Sequence, residues 1–194
     1  MYSLFKAVDD TGRDPYDGQM IEPDPTPEEP HSPLLKGFVS YAEFDIALVD
    51  RFLDLLRPRL DSAAGFRVDA WFARRHLATG HRWQEEIDRA MDESDFGLFL
   101  VSPAFLVSDY IGTEELPHFL NRDDAIILPV GLETVNLQTA NLKGLEQHQI
   151  HRLRQKGKPQ RQWFSECGGM NLKRFCDQLV QDMTTRFDEN GLLG

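Results

Sequence analysis

The sequence predicts an α/β fold in which a parallel sheet is covered by helices on both faces. Three observations carry that expectation. Apolar runs of strand length, such as residues 96–101 and 125–130, are nearly continuous, as strands buried on both faces are. Between these runs stand stretches whose apolar residues recur at helical spacing. Alternation of the two kinds builds a sheet with helical crossovers. Finally, 194 residues, 41% of them hydrophobic, suffice for one domain with its own core plus at most an appendage, which excludes a wholly disordered chain.

Taken in order, residues 1–33 stand apart. They hold eight acidic side chains (Asp9, Asp10, Asp14, Asp17, Glu22, Asp24, Glu28, Glu29) against Lys6 and Arg13, and six of the eleven prolines. No apolar periodicity organises them, so their burial cannot offset the entropy of ordering; we expect a flexible or extended arm. The domain proper is expected over residues 34–190. Residues 35–40 form a short apolar strand, after which Val49, Phe52, Leu53, Leu56 and Leu60 mark a helix. Residues 66–72 read as the second strand, and Trp83, Ile87, Ala90 and Met91 as one face of the second helix. The run 96–101 is the third strand, punctuated by Ser102 and Pro103. A third helix is expected to start near Thr113, an acceptable N-cap, with Pro117 tolerated in its first turn. Residues 125–130 are the next buried strand, Leu142 and Leu145 mark an apolar turn, and one more strand is expected over 150–153. The last helix is the clearest, with Leu172, Phe175, Cys176, Leu179, Val180, Met183 and Phe187 on one stripe.

Charge and composition narrow the function. The 32 acidic and 21 basic side chains give a net charge of −11, which argues against a nucleic-acid binder, because phosphate contacts need clustered Lys and Arg. More than half of that charge belongs to the arm; the rest of the chain is only mildly acidic and carries a candidate basic patch around Arg74, Arg75, His76, His81 and Arg82. No stretch approaches the roughly 20 apolar residues of a membrane span, and no signal-peptide pattern opens the sequence, so we expect a soluble, cytoplasmic protein without a membrane partner. The two cysteines, Cys167 and Cys176, lack the spacing of a zinc site and read as reduced thiols, Cys176 on a core face. His76 and His81 are poorly spaced as a ligand pair and read as solvated, so no metal is expected.

In an open α/β sheet, ligands bind at the loops beyond the carboxyl ends of the strands. The loops 40–45, 74–82 and 102–113 are therefore the candidates. None contains a GxxxxGK[ST] or dinucleotide fingerprint, and no GxSxG elbow occurs, so P-loop, Rossmann and serine-hydrolase readings fall away. Ser40 and Ser102 end the strands where a phospho-receiver domain would place acidic residues.

Together the motifs resemble a known family. Gly37-Phe38-Val39-Ser40-Tyr41, the run from Leu77 to Trp83 leading into Ile87, Leu98 to Pro103 with Ser108-Asp109-Tyr110, then Glu115-Leu116 and Ile127-Leu128-Pro129-Val130, resemble a Toll/interleukin-receptor (TIR) domain of the bacterial type. The resemblance runs from about Leu35 to Phe187. It implies a flavodoxin-like open parallel sheet of five strands and an activity found in many members, hydrolysis of the nicotinamide–ribose bond of NAD+. NAD+ would be a substrate, with no resident cofactor. A non-catalytic adaptor, or an effector that mimics a host adaptor, is equally compatible, and in each case other TIR domains are the implied partners, with a homo-oligomer as the active form.

The resemblance places the catalytic carboxylate at Glu115, just before Leu116, with Glu114 as the neighbour that a one-residue slip would select. At the first turn of a helix, Glu115 is expected to be ionised. Tyr41, Ala42 and Glu43 match first-loop positions that line the nucleotide pocket in relatives, although Ala42 and Glu43 stand where some relatives carry basic residues. Arg82 is a candidate for that missing charge, alongside Arg74 and Arg75. Trp71 and Trp83 suit core packing, with Trp71 also a pocket candidate; Ser108, Asp109 and Tyr110 precede the glutamate and are expected to shape the pocket floor.

Overall fold

The computed structural model describes residues 32–72 and 81–194, without the side chains at 71, 72 and 81–83. Residues 1–31 of the expected arm, together with Arg74, Arg75 and His76, lie outside the described residues, as do the side chains of Trp71, His81, Arg82 and Trp83. The element order is β1 (Leu34–Ser40), α1 (Ile46–Asp61), β2 (Arg67–Phe72), α2 (His81–Asp92), β3 (Phe96–Val101), α3 (Pro103–Val107), α4 (Leu116–Leu120), β4 (Ile126–Gly131), β5 (Leu153–Gln155), β6 (Lys158–Gln162) and α5 (Met170–Glu189).

Side-chain alternation along the strands divides the apolar residues between two cores. Val39, Leu98, Leu100, Leu128 and Val130 face α1 and α5, where Phe52, Leu56, Phe175, Leu179 and Phe187 complete one core. Phe38, Phe99, Val101 and Ile127 face the opposite way, onto Ile87 and Met91 of α2, Phe105 of α3, and Leu116 and Phe119 of α4. Since both faces are covered, every residue of β3 and β4 is buried, and this is why those strands read as unbroken apolar runs. Gly97 lets the second core close: a Cβ there would stand 2.6 Å from the Phe99 ring.

The strands run parallel in the order β2-β1-β3-β4. The expected α/β architecture is present, and among the described residues the sheet has four strands rather than the five expected. Where a fifth would lie, Pro129 accepts a hydrogen bond from His151 N (2.8 Å) and Gly131 N donates to His151 O (2.9 Å), closing one isolated parallel bridge. Residue 129 faces this edge, and as proline it has no N–H for a longer ladder. Past the bridge, the chain instead pairs β5 with β6 as an antiparallel hairpin, turning through Lys156 and Gly157, whose φ of +77° suits glycine. That hairpin has no counterpart in the sequence expectation of a strand over 150–153.

The helix expected from Thr113 is also different. Helical backbone runs over 109–120, and its middle five residues, Ile111–Glu115, form a π turn. Thr113 lies inside that turn, and the cap is Ser108, whose Oγ accepts from Ile111 N at 3.4 Å. Pro117 is therefore well inside the helical run rather than at its start. The π turn immediately before it is a recognised way for a helix to absorb a missing N–H and a ring in its path.

Candidate active site

Ser40 closes β1, Ser102 follows β3, and Ser40 is paired with Phe99, so both hydroxyls stand at the carboxyl end of neighbouring parallel strands. Both serines are fully buried. Ser40 Oγ donates to Glu115 Oε2, in the helical run that follows β3. Ser102 Oγ donates to Asp45 Oδ2 at 2.5 Å, in the short turn that follows β1. The pairs are thus crossed, each serine holding a carboxylate supplied from beyond the other strand.

Local sequence explains how each carboxylate is delivered. In an uninterrupted α-helix the Leu116 N–H would reach back to Gly112, but it bonds to Ile111 O, one residue farther. The extra residue advances the inward face by one position. As a result Ile111, Glu115, Leu116 and Phe119 point to the interior, and Glu114 is exposed. Upstream, the Tyr110 hydroxyl donates to Gln84 Oε1 on α2 at 3.0 Å, which ties the start of this helix to its neighbour. Asp45 is placed by a single 3₁₀ turn, Glu43–Asp45, closed by Asp45 N donating to Ala42 O at 3.0 Å.

The electrostatics of the Asp45 pair are mixed. Burial pushes the Asp45 carboxyl above its ordinary value, the donated Ser102 hydrogen bond opposes this, and the Glu133 carboxylate adds to the rise. Ser102 does a second job: its Oγ accepts from Phe105 N at 2.9 Å and so caps α3. Glu115, with none of its surface exposed, has the Ser40 hydroxyl as a donor. It stands seven residues into the helical run, not in the first turn, so the helix-terminus argument made for it from sequence does not apply.

Of the residues singled out from sequence, Glu115 is brought against Ser40 while Glu114 lies on the surface. Tyr41 and Ala42 are buried, Tyr41 in the α1/α5 core and Ala42 in the other, whereas Glu43 is exposed. Ser108 and Tyr110 are half-buried in helix-capping and interhelical roles, and Asp109 is exposed. Sequence reasoning did not single out Asp45, and it used Ser40 and Ser102 as motif residues and to exclude a receiver domain, not as partners of a carboxylate. No local spacing marks Asp45, because its partner Ser102 lies 57 residues away along the chain.

Cys167 and Cys176 are unpaired and buried, and burial raises their thiols to about 11 and about 12, so both are packing groups rather than nucleophiles. Among the described residues no helix is long and apolar enough to cross a membrane.

Comparison with known families settles the class of domain. The family profile described as TIR domain matches residues 38–166. The chain belongs to the TIR domain family. The matched span of the TIR domain begins within β1 and ends at the turn Phe164–Glu166, so it takes in both serine–carboxylate pairs and leaves α5 beyond it. No curated protein matches the chain.

Proposed function

We propose that this TIR domain is an NAD+ nucleosidase that splits the nicotinamide–ribose bond in signalling or immune defence, as a cytoplasmic protein acting on NAD+ when associated with further TIR domains. The observation that carries the reading is one ionisable side chain: the Glu115 carboxylate, aimed into the carboxyl end of the sheet and held by Ser40. Other glycosidases need two carboxyl groups, one of them to protonate the leaving oxygen. The nicotinamide of NAD+ is already cationic and departs neutral, taking both electrons of the C–N bond, so no proton has to be supplied. What needs stabilising is the positive charge left on the ribose, and a fixed carboxylate that also accepts from the ribose hydroxyls does that. Water, losing a proton, captures the ribosyl cation to give ADP-ribose; capture by the adenine ring would give a cyclic isomer instead.

The burial of Glu115 adds a condition. A ribose hydroxyl must replace the Ser40 hydroxyl as donor, so the arrangement described is a closed site that has to open. We therefore expect turnover to depend on assembly. Purified protein at high concentration, incubated with NAD+ and followed for released nicotinamide, should show a specific rate that rises with protein concentration. Absence of release in the assembled protein would overturn the enzymatic reading and leave the adaptor reading, which the enclosure of Glu115 also suits.

A further inference from the structure

The hairpin β5–β6 carries charge that the serine–carboxylate pairs do not use. From His148 to Ser165 the chain has five arginines and lysines and no acidic residue, in a protein whose net charge is −11. Three of these cations have an evident place. Arg154 pairs with Asp182 at 2.6 Å, Lys156 sits at the hairpin turn, and Lys158 stands next to Pro159 on β6, an exposed strand that such residues keep from pairing with another chain. Arg152 is different. His151 turns toward α5, where its ring meets Asp182 and the Phe175 carbonyl, so the next side chain turns the other way. There the Arg152 guanidinium lies over the buried Trp163 ring, 5.5 Å from its centre. Both side chains close over Gly131, the last residue of β4, where a Cβ would stand 2.6 Å from the Trp163 ring and 2.9 Å from Arg152 Cγ. The Arg152 side chain is half-buried and makes no ion pair or hydrogen bond among the described residues, and its Nε is sealed from solvent without an acceptor. Buried polar groups are ordinarily satisfied, so this one calls for an account. Burial and the like charge of Arg161 both lower the Arg152 pKa; Glu166 opposes them, but its Oε2 is already taken by Trp163 N at 2.9 Å.

We propose that Arg152 and Arg161 form an anion site for the phosphate group of a small ligand, at the carboxyl end of β4 and apart from the carboxylates at β1 and β3. Two neighbouring guanidinium groups without a carboxylate between them are a cost to the fold, and a bound anion removes it. A multiply charged oxyanion offsets both charges at once, which a single carboxylate does not, and the guanidinium fork matches phosphate oxygens. Stacking on Trp163 holds the Arg152 plane in place before anything binds, so little freedom is lost on binding. Space is present as well. Arg161 and Glu166, whose charges both act on Arg152, line a depression of about 450 Å³ together with Lys158 and Gln160, within the range of small-ligand pockets. The position is the one where open α/β sheets take ligands, beyond the carboxyl end of a strand. Depth argues against a nucleic-acid backbone, which would meet the exposed Lys156 and Lys158 before the half-buried Arg152. The site does not depend on the NAD+ reading.

The test follows the Arg152 Nε–Hε and Trp163 indole N–H resonances by NMR while the full chain is titrated with inorganic pyrophosphate at constant ionic strength. Both resonances should shift saturably with pyrophosphate and stay in place with chloride. Arg161→Gln should weaken pyrophosphate binding about tenfold. Arg152→Met keeps a flexible apolar side chain on Trp163 without the charge, and should abolish the saturable shift of the indole resonance. Its urea midpoint should match or exceed that of the wild type, because an unpaired charge is gone; an arginine kept only for packing would lower it. Absence of a saturable shift in the wild type, an equal response to chloride, or an affinity unchanged in Arg161→Gln would overturn the proposal. So would binding that survives Arg152→Met. A DNA oligonucleotide that moves these resonances where pyrophosphate does not would replace the small-ligand site with a nucleic-acid surface.

Discussion

The two serine–carboxylate pairs are alike in composition and unlike in what they hold. Ser102–Asp45 is woven into the backbone: the serine also caps α3, and the aspartate ends the turn that begins α1. Ser40–Glu115 involves a side chain delivered by a π turn, an element that costs regularity and recurs at functional sites. A pair that also satisfies backbone groups is explained by stability alone. The other pair caps no helix and buries its carboxylate from a π turn, and that difference is why we assign the chemistry to Glu115 and support to Asp45.

The contrast can be broken by mutation. Ser102→Ala removes the cap of α3, about 1 kcal/mol, and leaves a buried carboxylate one donor short, about 1–3 kcal/mol. Urea unfolding should therefore show a loss of about 2–4 kcal/mol; a loss near zero would mean that the Ser102 cap and its bond to Asp45 contribute nothing to stability. Ser40→Ala removes only the donor, so the expected loss is smaller, about 1–3 kcal/mol. If Ser40→Ala proved the more destabilising of the two, the assignment of roles would have to be exchanged.

Acid–base behaviour sharpens the comparison further. Asp45 titrates above its unfolded value in the native state, so its contribution is most favourable at low pH and is lost as pH rises through the folded value. Asp45→Asn keeps an acceptor for Ser102 without the buried charge, and should match or exceed wild-type stability at pH 7 while gaining nothing near pH 4. Asp182, on α5, shows the opposite sign. Its burial opposes, but hydrogen bonds and charge from His151 and Arg154 outweigh it and lower its pKa. That stability is present above the ordinary carboxylate range and is lost as pH falls through the folded value, so Asp182→Asn should flatten the acid limb of the unfolding free energy. This is the smallest of the expected effects, because Arg154 is itself substantially exposed.

The parts of the fold that were legible in the sequence are those whose cause is local. β3 and β4 are buried on both faces and show it as continuous apolar runs, and α5 buries one stripe over 20 residues. The truncated fifth strand was not legible, because it depends on which edge the missing N–H of Pro129 faces, and that is a property of the assembled sheet. Nor was the π turn: around Glu114 and Glu115 an apolar pattern with one extra residue reads as a helix that starts late. At the site, the motif pointed to Glu115, but its partner Ser40 lies 75 residues away and no periodicity connects them.

The central claim is that the π turn and Ser40 select Glu115, rather than its neighbour, as the group that acts on substrate. Nicotinamide release from NAD+ by the assembled Glu115→Gln and Glu114→Gln proteins, each checked for wild-type unfolding behaviour, tests it directly. The account predicts a loss of roughly 100-fold or more for the first and a rate within about twofold of wild type for the second, as for an exposed side chain away from the site. Equal rates in the two variants, or a greater loss in Glu114→Gln, would contradict it.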